Sequence, residues 1–504
     1  MTQSTQIPPP PPPFTEIVII GTGFAGLAMG AQLKRHGHHD FIIVERAGGI
    51  GGTWRDNTYP GAACDVPSHL YSFSFRPNPH WSSLFSPGPE ILAYLKETAH
   101  DEGLLPHISF STNVEDAIWD QTDKVWKIHT SRGELACRYL ITGTGHLADE
   151  SLPNIPGLEA FKGEVFHSAR WPHEAQTRGK RIGIVGSGAS ALQIVPELAK
   201  DAEHLVVFQR TPPYVIPRVD RPYSDVERRV FQRDPSTMRE HRNELFWYLE
   251  STFASRRAVP RYLAETRHIA RAHLERQVPD EALRAKLTPD YTVGCKRVLI
   301  SNTYYPTFLR DNVQLEASAL AKVEHGKAVA ASGASHDLDM LIFCTGFETA
   351  QPPYAALIRG HDGQPLSQAW AQGMEAFAST TVHGFPNLFM VNGPNTGLGH
   401  NSIVYIIEAQ VDYILGALDW AKQSGQQVME VSAHAQAEYV NRMQELAEGT
   451  VWLSEGCKSW YVDPRSGRLT LVWPNFAHDF RHRNGRFDPT PYTGSPTVAT
   501  RQAG

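Results

Sequence analysis

The first patterned segment is a β-branched run, Ile17 to Ile20, and after Gly26 the apolar residues fall at helical spacing through LAMGAQLKRHG. That order predicts a strand, a tight glycine turn and a helix. RIGIVGSGASALQIVPELAKD repeats the design, with Ile182 to Val185, then Gly186, Gly188 and Ala191, then a second helical pattern. Two more apolar runs, YLITGTGHL (139–147) and MLIFCTGFE (340–348), end in Thr-Gly where each duplicated unit would finish or cross to its neighbour. Between about 216 and 295 the sequence turns charged and helical, as in ERRVFQRD and RHIARAHLERQ. From 383 onward a strand, a Gly/Asn-rich loop and a long amphipathic helix return to complete the first unit.

This alternation predicts an α/β protein with two Rossmann-like dinucleotide-binding domains and a helical insertion. The expected parts are a proline-rich tail over 1–14, a first domain over 15–146 and 382–504, a second over 147–215 and 296–381, and the insertion over 216–295. With 504 residues, 41% of them hydrophobic, the chain can fill substantial cores, which excludes disordered and collagen-like classes. The net charge of -6 leaves no basic footprint for nucleic acid or an anionic membrane. No apolar run reaches the roughly 18 residues of a membrane span, and Pro8 to Pro13 read as a mobile polyproline II tail rather than a secretory signal. The five cysteines, at 64, 137, 295, 344 and 457, include no C-x-x-C pair. They argue against a disulfide scaffold, a zinc module or a dithiol reductase, and suit a cytoplasmic location. The 23 histidines show no spacing that suggests a metal site.

Gly21-Thr22-Gly23-Phe24-Ala25-Gly26 fits G-x-G-x-x-G, and its context gives it weight, because the next strand, FIIVE, ends in Glu45. Glycine permits the tight turn and close backbone approach, a pyrophosphate sits on the helix N-terminus, and the carboxylate takes ribose hydroxyls. In the second unit Gly186, Gly188, Ala189 and Ser190 form the turn. Gly21 to Glu45 is 24 residues and so is Gly186 to Arg210, so a guanidinium, followed by Thr211, stands where the first unit has its acid. Arg binds a ribose 2′-phosphate that a carboxylate would repel. The first site should therefore take FAD and the second NADPH. Disulfide reductases of this architecture need a cysteine pair beside the flavin; none is close in sequence here, which leaves oxygen as electron acceptor.

Specific motifs then appear. Phe161 through Gly163 and His167 to Trp171-Pro172 fits F-x-G-x-x-x-H-x-x-x-W-P, and Gly51-Gly52-Thr53-Trp54 through Tyr59-Pro60-Gly61 to Asp65 fits G-G-x-W-x-x-x-x-[FY]-P-G-x-x-x-D. With GCKRVLISNTYYPTFLRDNVQL (294–315), these resemble the type I Baeyer–Villiger monooxygenases of the flavin-containing monooxygenase superfamily over about 15 to 490. ERAGGIGG before Trp54 departs from the family, which more usually has an acidic residue there. The resemblance implies that NADPH reduces FAD, that oxygen adds to form a flavin C4a-peroxide, and that its anion converts a ketone to an ester or lactone. It implies Arg297 as the catalytic cation, Asp65 as the carboxylate that orients it, and Lys296 beside Arg210 on the NADPH phosphate.

Cofactor contacts are expected from Gly21, Gly23, Phe24, Ala25, Gly26, Glu45, Thr53, Trp54, Asp65, Tyr71 and Asn395 for FAD. Gly186, Gly188, Ala189, Ser190, Arg210, Thr211 and Lys296 are expected to serve NADPH. His167 is a structural residue or part of a domain movement. The GPNTGLGHNS loop (393–402) either aims a helix N-terminus at the flavin or is a plain cap through Asn401 or Ser402. Phe246, Trp247, Tyr248 and 375–385 are candidates for an apolar substrate lining, and the basic stretch 476–486 reads as solvated surface. The expected partners are a small ketone and O2, without nucleic acid or membrane, in a monomer or homodimer. An N- or S-oxygenating flavin monooxygenase is the alternative, and a flavoprotein sensor without catalysis a more distant one.

Overall fold

The computed structural model describes residues 11–493. Its larger sheet has eight strands. From one edge they run Ile358–Arg359, Val114–Asp120, Val125–Thr130, Gly133–Thr142, Phe14–Ile20, Phe41–Val44 and Ile108–Ser109, with Leu388–Met390 beside the end of Gly133–Thr142. Val18 lies opposite Ile42 on one side and Leu140 on the other, both in parallel register. Ile17 and Ile19 face the core of helices Phe24–Arg35 and Ile403–Ser424, whereas Val18 faces a second core with Trp119, Trp126 and Ile128. Both faces are covered, which is why this strand reads as an unbroken apolar run.

The second domain is a five-stranded parallel sheet in the order Val313–Glu316, His204–Phe208, Arg181–Val185, Met340–Phe343 and Glu164–His167. Each Thr-Gly strand lies next to its fingerprint strand. Gly21 adopts φ +101 and Gly186 φ +117, and a Cβ on either would stand 2.8 Å from the Gly143 carbonyl oxygen or 2.5 Å from that of Cys344. Only glycine fits these two turns.

Between the paired short strands Val215–Ile216 and Leu299–Ile300 stand helices Asp225–Arg233, Pro235–Ser251, Pro260–Gln277 and Glu281–Leu287. The helical insertion is fastened to the first domain by Glu250, which is 2% exposed. Its carboxylate accepts from His400 Nε2 (2.9 Å), Asn401 Nδ2 (2.8 Å), His478 Nδ1 (2.7 Å) and the backbone N–H groups of Ala477 and His478. Burial opposes the charge, but these donors outweigh it and hold the carboxyl at about 2. Burial holds His400 below its ordinary value, against the pull of Glu250.

Several sequence expectations need correction. Residues 353–381, expected in the second domain, pack with the first: Ile358–Arg359 pairs with Val114–Asp120, and Trp370 and Met374 share the core of Trp119. The stretch 476–486 is not solvated surface, because helix Ala477–Asn484 buries Ala477, Phe480 and Asn484 and meets Glu250 at its N-terminus. Cys295 and Cys457 are joined, so the cysteine argument for a reducing compartment loses its basis, although one disulfide is not a scaffold. Residues 1–10 of the proline tail lie outside the described residues; at its end Pro11 is buried and the Pro13 carbonyl accepts from Ala136 N at 2.9 Å. Among the described residues no helix is long and apolar enough to cross a membrane.

Replacing Glu250 with Ala leaves buried donors without an acceptor and should cost about 3–5 kcal/mol, read as a fall in Tm with intact secondary structure at 10 °C. Because this carboxyl sits below its ordinary 4.5, its contribution is full above pH 4.5 and fades as pH falls toward 2. The Tm gap between wild type and Glu250→Ala should shrink in that direction; a gap independent of pH would contradict the assignment.

Candidate active site

The C-terminal ends of the first sheet's parallel strands open into a cavity of about 390 Å³. Gly21, Gly23, Phe24, Ala25, Glu45, Thr53, Trp54, Tyr71 and Arg297 all reach its wall. Gly26 lies beneath the turn, where a Cβ would stand 1.8 Å from the Gly21 carbonyl oxygen. Gly23 is different, since a Cβ there would come no closer to the protein than 3.8 Å, from Gly52 Cα. Among the described residues nothing requires glycine at 23; the open cradle at the start of helix Phe24–Arg35 fits a pyrophosphate lying on the backbone.

Glu45 is 4% exposed and fixed on all sides. It accepts from Thr22 N (2.9 Å) and Thr22 Oγ1 (2.7 Å) on one oxygen and from Ala47 N (2.8 Å) on the other, where Arg55 Nη1 lies at 3.0 Å. The Gly51-Gly52 turn packs on the fingerprint: a Cβ on Gly52 would lie 3.1 Å from Gly23 Cα. Trp54 then donates from Nε1 to the Tyr71 hydroxyl at 3.2 Å, and Phe24 meets Tyr71 edge-on at 5.0 Å. Together they give the cavity an aromatic wall suited to a flat ring system.

Farther along the same motif the two domains lock. Tyr59 donates to Gln193 Oε1 at 3.0 Å, Gln193 Nε2 donates to the Ala63 carbonyl at 2.9 Å, and Gly61, at φ +82, leaves only 2.7 Å between a Cβ and the Gln193 carbonyl oxygen. Asp65 follows directly. It receives Arg297 in a fork, Nε to Oδ2 and Nη2 to Oδ1, both 2.7 Å. The charge of Asp65 holds the guanidinium well above its ordinary value against the cost of burial. Burial pushes Asp65 up, and Arg297 outweighs it to leave the carboxyl below its usual range. The pair is ionised throughout any working pH, and Arg297 stays about one-third exposed toward the cavity.

The second glycine turn follows Arg181–Val185. A Cβ on Gly188 would meet nothing within 4 Å, so this glycine forms the same kind of open cradle at the start of helix Ala189–Leu198, with Ser190 in its first turn. Ser187 Oγ donates to the Thr211 carbonyl at 2.8 Å and ties the turn to the strand end that carries exposed Arg210. Lys296 lies over the Tyr291 ring at 4.8 Å and is held below its ordinary value by burial and by Arg210. Two cations that repel one another suit a dianionic phosphate.

The remaining candidates fall in several places. Asn395 donates to the Leu469 and Val472 carbonyls (2.8 and 3.1 Å) and anchors its loop, while Gly397 and Leu398 reach the wall. Ser402 is the cap of Ile403–Ser424, accepting from Val404 N, and Ile403 and Ile407 bring that helix N-terminus to the cavity. His167 caps a short turn by accepting from Ala169 N, and Trp171 stands edge-on to Phe166 in a cleft shared with Arg46 and Arg55. Phe246 packs on Tyr405, Trp247 and Tyr248 are exposed, and none of these or of 375–385 lines the cavity. Sequence reasoning missed His146, Tyr354 and Trp460, which do. His146, at the end of the Thr-Gly run, is kept near 4 by burial and bonds Thr396 Oγ1 through Nε2 at 3.1 Å. No cysteine reaches the wall.

Two glycine cradles, an acid on one strand end, a guanidinium on the other and an ion-paired arginine on the wall of the first cradle's cavity define a two-dinucleotide oxidoreductase. The sequence profile described as flavin-binding monooxygenase-like matches residues 15–359. The chain belongs to that family. It is 44% identical to a Baeyer-Villiger monooxygenase of Streptomyces coelicolor over 94% of this chain and 92% of that one. It is 40% identical to another from Pseudomonas aeruginosa, over 99% and 95%. Among solved structures, cyclohexanone monooxygenase from Rhodococcus sp. Phi1 bound to NADP+ superposes with a TM-score of 0.85 at 27% identity, covering 94% of this chain and 97% of that one. OTEMO in complex with FAD and NADP gives 0.84 at 28%, covering 94% and 97%.

The glycines separate folding from binding. Gly23→Ala should keep wild-type apoprotein Tm while weakening FAD retention at least about tenfold, since its Cβ enters only the cradle. Gly26→Ala should instead lower the apoprotein Tm, by overpacking on the order of 1–3 kcal/mol or more. Equal apoprotein stability in the two variants would contradict this reading.

Proposed function

We propose that this protein is an FAD- and NADPH-dependent Baeyer–Villiger monooxygenase, taking a ketone, O2, NADPH and a proton to an ester or lactone, water and NADP+. The observation that carries the proposal is Arg297, a permanent cation on the cavity wall, forked to Asp65 and adjacent in sequence to the Lys296 of the phosphate site. FAD, held by the first cradle, supplies hydride acceptance from NADPH and activation of oxygen.

The chain's own residues do the rest. Arg297 stabilises negative charge that develops on the substrate oxygen as its carbonyl is attacked, and Asp65 fixes the guanidinium so that it need not reorganise at that moment. The N-terminus of Ile403–Ser424 sets a partial positive charge beside the flavin site. Phe24, Trp54, Ile407 and Trp460 give the wall apolar surface that excludes water, which strengthens both effects. Arg210 and Lys296 select the 2′-phosphate of NADPH.

Arg297→Ala should lower ketone oxidation by at least about 10² while NADPH still reduces the flavin; near wild-type ester formation would remove its central role. Arg210→Ala should raise the KM for NADPH far more than that for NADH, whereas an equal change would remove the phosphate assignment. A ketone panel that yields no ester, alongside oxidation of amines or sulfides, would move the protein to the N- or S-oxygenating class.

A further inference from the structure

The disulfide joins two segments that each contribute to the cavity from distant parts of the chain. Cys295 is fully buried and immediately precedes Lys296 and Arg297; Cys457, 162 residues away, stands three residues before Trp460. Arg297 and Trp460 line the same cavity, and Trp460 is 49% exposed.

Apart from this bond the Trp460 loop is weakly held. Among the described residues, the polar contacts of 454–460 are local, from Ser454 Oγ and N to the Val451 carbonyl, from Cys457 N to the Ser454 carbonyl, and from Tyr461 N and Val462 N to Ser459; just beyond the tip the chain is anchored, the buried Tyr461 accepting on its carbonyl from Thr470 N (3.2 Å) and Leu471 N (3.4 Å). Glu455, Gly456 and Lys458 are exposed, and among the described residues the ring contact of Trp460 is with its neighbour Tyr461, tilted, at 4.6 Å. Nothing polar runs from 454–460 to the Arg297 segment except the sulfur–sulfur bond. On the other side, Gly294 turns at φ +91 against Val451, with 3.4 Å between its Cβ position and Val451 Cγ2. The base of the loop is therefore packed with or without the bond, and its tip is not.

We infer that Cys295–Cys457 is a redox-controlled clamp that fixes the Trp460 loop on the wall of the Arg297 cavity and thereby sets how tightly that cavity holds its substrate. A dithiol reductant opens it. One of its thiolates attacks Cys457, whose neighbours are exposed, the bond to Cys295 breaks and Cys295 leaves as thiolate. The reductant's second thiol then displaces Cys457 and closes the reductant's own disulfide, so two electrons and two protons pass to the protein. An oxidised dithiol reverses the exchange. Cys64, Cys137 and Cys344 are all buried and take no part. The kinetic consequence rests on the ketone binding beside Arg297 at the edge of the flavin cavity; the clamp itself does not.

The test uses the FAD-loaded full chain, oxidised in air or treated with dithiothreitol. Alkylation under denaturing conditions should count three thiols in the oxidised form and five in the reduced, with the Cys295–Cys457 peptide recovered only from the first. Trypsin should cut after Lys458 at least about fivefold faster in the reduced form. With cyclohexanone as probe, reduction should raise KM about tenfold with kcat within about twofold, and Cys457→Ser should behave as reduced enzyme and ignore dithiothreitol. Five thiols in the air-oxidised protein, cleavage at Lys458 indifferent to reductant, or a Cys457→Ser enzyme that still responds would each overturn the clamp. Lys458 protection that follows the disulfide in a protein without ketone oxidation supports the clamp and sinks the ketone reading instead.

Discussion

The site depends on one ion pair between domains. Asp65 belongs to the first domain and Arg297 enters with the chain returning from the helical insertion to the second, so the fork exists only when both sheets hold their relative positions. Two charges taken partly out of water cost more than they return unless their geometry is good and their other contacts are met. Here both oxygens of the carboxylate are engaged at 2.7 Å, and the Tyr59–Gln193–Ala63 contacts brace the same seam a few residues upstream. The seam places the guanidinium; the guanidinium gives the cavity its chemistry.

A second constraint works from the far side. Glu250 gathers His400, Asn401 and the start of helix Ala477–Asn484 onto the insertion, and His400 and Asn401 directly precede the cap of Ile403–Ser424. That helix delivers its N-terminus to the cavity. The insertion, which reads in sequence as little more than a charged interruption, thus anchors the loop on one side of the site while the segment leaving it delivers Cys295, Lys296 and Arg297 to the other.

What the sequence made legible was whatever local physics writes into consecutive residues. The two fingerprints, the acid and the guanidinium at equal spacing, and the Thr-Gly ends of the neighbouring strands are such features, and the family motifs named Arg297 and Asp65 together. Illegible were contacts whose partners lie far apart. Cys457 is 162 residues from Cys295, Glu250 meets His478 across 228, and Trp460 reaches the cavity only through the fold. The early return of 353–381 to the first sheet rests on two residues of strand pairing, Ile358 and Arg359, too short to leave a period-two pattern. Helix Ala477–Asn484 hid for a related reason: its few inward positions, Ala477, Phe480 and Asn484, are diluted by His and Arg.

The central claim is that this cavity directs an oxygen atom from O2 into a carbon–carbon bond beside a ketone. Turnover of a ketone panel with NADPH under ¹⁸O2, followed by mass spectrometry of the products, tests it most directly. The account predicts esters or lactones carrying one ¹⁸O in the inserted, single-bonded position, with the ketone's own oxygen kept as the carbonyl. NADPH consumption that yields only labelled hydrogen peroxide, with every ketone recovered unchanged, would contradict it.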